Sequence, residues 1–234
     1  MSTSNAVICT VGLVPSPSSE TRQPWVGTGK KRHTKLVKIS RTNRKVDYRG
    51  EPSPRGRFIV IATEGRVTEK QYFEFLRYTN VRLVVLPTGE DNCSSPEYVV
   101  ERLNNYKKKF ELRADDELWL VVDVDRWKCL PAVADEALRK KYKLAISNPC
   151  FEVWLLCHRQ IPSQELKSCD DVKVALRKAL GGSYNGSNLN SADFIESIDQ
   201  ATQTAQQLDT SPKNRWPVDT GTHVYKVVQS IRAS

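Results

Sequence analysis

The chain has 234 residues, 39% of them hydrophobic and 27% charged, which is the composition of a soluble globular domain with room for a core and appendages. No apolar run approaches the roughly 20 residues that span a bilayer, and residues 6–14 lack the basic start and long apolar stretch of a secretory leader. The expectation is a cytoplasmic protein with no membrane partner. Six scattered cysteines without a C-x-x-C pair, and only three histidines, argue against a zinc knuckle, a disulfide framework or a His-based metal centre.

The net charge of +9 is unevenly placed. Residues 21–57 carry twelve Lys and Arg against Asp47 and Glu51, leaving 24 basic and 25 acidic residues for the rest of the chain. A basic arm on a near-neutral domain is the signature of phosphate contact by the arm. Lys30, Lys31, Arg32, Lys35, Lys38, Arg41, Arg44 and Lys45 are the candidate nucleic-acid-binding residues. Residues 1–55 hold few large apolar side chains and cannot bury enough surface to offset their ordering entropy, so a largely disordered arm is expected. Within it, "VGTGKKRHT" matches a phosphate-binding loop poorly: Lys31 stands where Ser or Thr should follow Gly29-Lys30, and no buried strand precedes it.

From residue 58 the pattern changes. "FIVIAT" (58–63) reads as a buried strand, followed by Glu64-Gly65 and a helix near 68–79. "VRLVVLP" (81–87) is a second strand, and Val99, Leu103, Tyr106 and Phe110 mark a helix near 96–113. A strand at 118–125, a helix near 131–141 opened by Pro131, and the strand "KLAIS" at 143–147 complete a β-α-β-α-β-α-β order. Uninterrupted apolar strands in that order predict a mostly parallel sheet of about four strands, covered by helices on both faces. In "SNPCFEVWLLCH" (147–158), Asn148 followed by Pro149 predicts a helix start, with a nearly all-apolar helix behind it. Further helices are expected near 170–180, ending at Gly181-Gly182, near 192–208 and over 222–231, giving a helical C-terminal portion.

Acidic residues collect where such sheets form sites, at the carboxyl ends of the strands. Glu64 follows the first strand. Asp123 and Asp125 end the third, and their spacing of two points both the same way. Glu152 opens the helix after the fourth strand, and Glu69 begins the helix after the first. Charges at the end of a buried strand need compensation, by a metal ion, by basic or amide donors, or by the open rim of the sheet. Hard oxygen ligands suit Mg²⁺ or Mn²⁺, and a cluster of three to five carboxylates suits phosphodiester cleavage. Structural readings compete. The aspartates could cap a turn, Glu69 suits a helix N-terminus regardless, and Glu152 could pair with Arg159. His158 and the tryptophans Trp119, Trp127 and Trp154 read most simply as core.

"FIVIATEGRVTEKQYFEFL", "ELWLVVDVDR", "SNPCFEVWLLCH" and the late "GTHVYKVV" resemble the conserved blocks of RloB-like proteins over about residues 56–232. The chain departs from that pattern at Val67, where an acidic or basic pair is usual. The resemblance implies a Toprim-like α/β fold and a metal-dependent nuclease of prokaryotic phage defence. On it, Glu64, Asp123, Asp125 and Glu152 would be catalytic and, with Glu69, would hold Mg²⁺ or Mn²⁺. The implied partners are nucleic acid and other defence proteins, with self-association left open. Two other functions remain in play: a nucleic-acid-binding or defence-complex subunit with a degenerate site, and a domain in which an aspartate is itself phosphorylated. The expected organisation is an arm, 1–55, and an α/β domain, 56–234.

Overall fold

The computed structural model describes residues 56–76, 78–89, 94–124 and 127–233. The chain divides into two units, Met1–Thr42 and Asn43–Ser234, and every described residue belongs to the second. Its elements alternate as expected: β1 Arg57–Thr63, α1 Thr68–Phe75, β2 Val81–Leu86, α2 Pro96–Lys109, β3 Glu117–Asp123, α3 Leu130–Arg139, β4 Lys143–Asn148, α4 Glu152–Cys157 and α5 Cys169–Ala179. Then come α6 Ile198–Leu208, β5 Gly221–Thr222 and α7 Val224–Arg232.

The sheet has five strands in the order β2-β1-β3-β4-β5, the first four parallel and β5 antiparallel to β4. The fifth strand was not expected, because two residues carry no period that a sequence can display. The apolar runs split by alternation. Ile59, Ile61, Trp119 and Val121 face one core with α1, α4, α6 and α7, whereas Phe58, Val60, Ala62, Leu118, Leu120 and Val122 face another with α2 and α3. Strands covered on both sides need no polar face, and this is why their sequences read as continuous apolar runs.

Three expectations need correction. Asn148 does not cap a helix; it ends β4, its peptide bond to Pro149 is cis, and its side-chain amide donates to the carbonyls of Pro217 and Val218 at 3.1 and 2.8 Å. The helix α4 therefore starts at Glu152, and all six of its residues are buried. The segment before α6 is not α-helical: 3₁₀ turns occupy Ser191–Asp193 and Ile195–Ser197, and α6 begins only at Ile198. Finally, Thr222 belongs to β5, where its hydroxyl lies 2.8 Å from that of Ser147, so the last helix starts at Val224. By contrast, α5 does stop before Gly181 and Gly182. Both glycines have positive φ, 62° and 92°, which L side chains rarely adopt.

Candidate active site

β1 leads by α1 to β2 on one side of it, and β3 lies on the other side. The strand order thus reverses between β1 and β3, and the loops leaving their carboxyl ends diverge and open a crevice there. Glu64 directly follows β1, Asp123 is the last residue of β3, and Glu152 is the first of α4. Together with Glu69 these acids line one cavity of about 340 Å³. Topology alone brings them together from positions up to 88 residues apart.

Glu64 is fixed at both ends. Its N–H donates to the Val121 carbonyl at 2.9 Å, and its carbonyl accepts the Thr88 hydroxyl at 2.6 Å. Thr88 is itself held by Arg102, which also donates to the Thr63 carbonyl at 2.7 Å. The Glu64 carboxylate accepts the Asp123 backbone N–H at 3.1 Å and the Trp127 indole N–H at 2.8 Å. Trp127 packs on the core as expected and also serves the site, a role that its sequence position did not reveal.

Glu69 lies in the first turn of α1 and folds back onto the Gly65 N–H at 3.0 Å. Residue 65 must be glycine in this arrangement, since a Cβ there would sit 1.8 Å from the Glu69 carboxylate. Burial pushes the Glu69 carboxyl up to about 7, the Glu152 and Glu64 charges add to the rise, and backbone hydrogen bonds hold it back. Asp123 is raised well above the usual carboxylate range, first by desolvation and then by Glu69, Glu64 and Glu152. Among the described residues no hydrogen bond reaches its carboxylate. Glu152, 8% exposed, accepts the Tyr184 hydroxyl at 3.0 Å, and Lys173 Nζ lies 3.7 Å away.

The expected alternative partner of Glu152 is engaged elsewhere: Arg159 pairs with Asp193 at 2.7 Å. His158 is a core histidine, 1% exposed and hydrogen-bonded to Tyr72 and Ser197, and burial pushes it down to about 3, so it is neutral. Asp125 and the eight basic residues of the arm lie outside the described residues. Sequence reasoning missed Thr88 and Lys173, which line the cavity, and Arg102 and Tyr184, which hold residues that line it, all from elements with no motif of their own. It also read the cysteines as unpatterned, yet Cys150 and Cys169 both line this cavity and their thiols hydrogen-bond each other. The four cysteines in the described residues are all free thiols.

The donor set is oxygen-rich, which is the chemistry of a hard divalent cation. Among the described residues no three Asp, Glu, His or Cys side chains already converge in an ion-holding geometry. Protein donors instead engage Glu64, Glu69 and Glu152, and Asp123 is left to the cavity. A family model for RloB-like proteins matches residues 59–231, nearly three quarters of the chain. The chain belongs to the RloB-like family. No curated protein and no solved structure matches it. No described helix of this RloB-like protein is long and apolar enough to cross a membrane.

Proposed function

We propose that this RloB-like domain is a Toprim-like nuclease that hydrolyses phosphodiester bonds of DNA or RNA with Mg²⁺ or Mn²⁺, in prokaryotic antiviral defence. One observation carries the reading: four acids meet in a cavity at the switch point of a parallel sheet, and one of them, Asp123, receives no protein donor among the described residues. Carboxylates that raise one another's proton affinity are a set that a cation relieves. Glu64, Glu69, Asp123 and Glu152 would hold the ion, with Asp125 expected beside them. Bound there, it supplies Lewis-acid stabilisation of a phosphoryl oxygen and a more acidic water.

The chain's own groups orient and balance that site. Trp127 and the Asp123 N–H fix the Glu64 carboxylate, and the Arg102–Thr88 pair fixes its backbone. Tyr184 holds Glu152. Lys173 and Arg66 put positive charge on the cavity wall, where a phosphodiester would otherwise meet only acids. The defence role rests on family membership, and the phosphate-binding role of the arm rests on its composition.

The test is to incubate the purified full chain with Mg²⁺ or Mn²⁺ and a panel of single- and double-stranded DNA, RNA and tRNA, with Asp123→Ala as control. Metal-dependent cleavage lost in the variant supports the reading. Binding without cleavage by either protein would favour a nucleic-acid-binding subunit instead.

A further inference from the structure

A second hollow lies at the other end of the same sheet. Its volume is about 310 Å³, at the lower end of the range that small ligands occupy. It shares no lining residue with the acidic cavity. It is built around the start of β4, some 17 Å along the strand from the acidic rim if each of about five residues rises ~3.3 Å. Because β5 pairs only with Ser147 and Asn148, the outer edge of β4 before them carries no neighbouring strand among the described residues. Residues 213–215, before β5, and residues 223 and 226 meet it there.

The chemistry of this hollow inverts that of the acidic site. Among the described residues four cations line it, Lys143, Lys213, Arg215 and Lys226, and no acid does. The acids behind them tie down three of the four: Lys143 lies 2.6 Å from Glu117, Arg215 pairs with Asp135 at 2.5 Å, and Lys226 is 4.0 Å from Asp209. Each lysine keeps further N–H groups for another acceptor. Lys213 has no ion pair or hydrogen bond among the described residues. Between the cations lie apolar surfaces of Trp119, Leu138, Tyr142 and Leu144, and Leu138 is 47% exposed. The Arg215 guanidinium carbon lies 4.8 Å from the centre of the Trp216 ring, a cation–π contact that, with the Asp135 pair, favours this position before any ligand arrives.

We infer that this hollow binds a nucleotide moiety, with phosphate on Lys213, Arg215 and Lys226 and the planar face of the base against the Leu138–Tyr142–Leu144 surface. A bare anion would leave the apolar wall unused, and an apolar ligand would leave Lys213 and the spare N–H groups of the other lysines without an acceptor. A phosphorylated planar group satisfies both. The moiety could come from a free mononucleotide or from one unit of a single strand, and the two sources separate by experiment.

The full chain is titrated with a fluorescent N-methylanthraniloyl adenine nucleotide, competed with unlabelled ATP, and in parallel with a 5′-fluorescein oligothymidylate followed by anisotropy. Lys213→Glu and Leu138→Glu change exposed side chains and should leave the melting temperature unaltered, and Lys178→Glu on α5 serves as the charge control. Saturable binding of the mononucleotide that falls by about tenfold or more in Lys213→Glu and Leu138→Glu, but not in Lys178→Glu, supports a free-nucleotide site. The same losses with the oligonucleotide alone support a strand site. If neither probe binds, or all three variants bind as the parent does, the inference is wrong.

Discussion

Asp209 and Glu69 are equally buried, each 7% exposed, yet they keep different company. Donors surround Asp209. The Tyr225 hydroxyl donates to it at 2.8 Å and the Ser211 N–H at 3.3 Å, and Lys226 Nζ lies 4.0 Å away. His223 Nε2 is 3.0 Å from it, although not aligned for a hydrogen bond, and burial pushes that histidine down to about 4. Among the described residues Glu69 has backbone donors alone, its own N–H and that of Gly65, and beyond them Glu64, Glu152 and Asp123. A buried carboxylate that serves only the fold is satisfied by its neighbours. One whose neighbours raise its energy points to a ligand that the fold alone does not supply.

The largest test of this contrast removes a charge from each group. Asp123→Asn should cut metal-dependent cleavage by about hundredfold or more, since ion-mediated charge stabilisation is worth several kcal/mol. Its apo melting temperature should hold or rise, because one source of repulsion disappears. A drop of more than a few degrees would make Asp123 a structural residue like Asp209. The converse variant, Asp209→Ala, should cost about 3 kcal/mol by stranding the buried Tyr225 hydroxyl and the Ser211 N–H, and lower the melting temperature by roughly 6–12 °C. An Asp209 variant as stable as the parent would erase the distinction.

The sheet and its acids were legible in the sequence because the same physics writes both. Strands covered on two faces must be apolar throughout, so "FIVIAT" and "LWLVV" declare themselves, and the acids that follow them fall at the carboxyl rim by chain order alone. What could not be read depends on partners distant in the chain. Asn148 resembles a helix cap until the carbonyls of Pro217 and Val218 claim its amide. Trp127 resembles core until Glu64, 63 residues earlier, accepts its N–H. Tyr184 sits in a polar loop whose composition predicts only a turn, and nothing local marks it as the residue that holds Glu152.

A smaller effect separates Glu152 from an ordinary ion pair. A cation that binds only the folded protein stabilises it by about 2.7 kcal/mol at 100 times its Kd. Mn²⁺ should therefore raise the melting temperature of the parent and of Arg159→Ala, whose side chain serves Asp193, by several degrees. Glu152→Gln should lose much of that rise. Equal responses from all three proteins would remove Glu152 from the ion-binding set.

The smallest expected effect is the pH dependence of the apo protein, and its sign is fixed by the direction of the Glu69 shift. An acid whose folded pKa is raised binds more protons in the folded than in the unfolded state between its two pKa values. Its contribution to stability is complete below about 4.5, the unfolded value, and disappears as pH rises through about 7. Asp123, also raised, acts with the same sign. The buried histidines oppose this. His158 and His223 are pushed down from 6.5, so their neutral forms favour folding and that contribution is lost as pH falls below 6.5. The two effects overlap between 4.5 and 6.5, and the parent's curve there does not isolate either. Above 6.5 the folded histidines are neutral, but their unfolded forms keep releasing protons up to about pH 7.5 and offset the acids in the parent. The acid contribution is isolated by difference: relative to Glu69→Gln, the parent should lose about 1 kcal/mol of stability between pH 6.5 and 8, a few degrees of melting temperature. Urea denaturation of the two proteins across this window measures the difference, and parallel curves would mean that Glu69 is ionised near neutrality as an ordinary glutamate is.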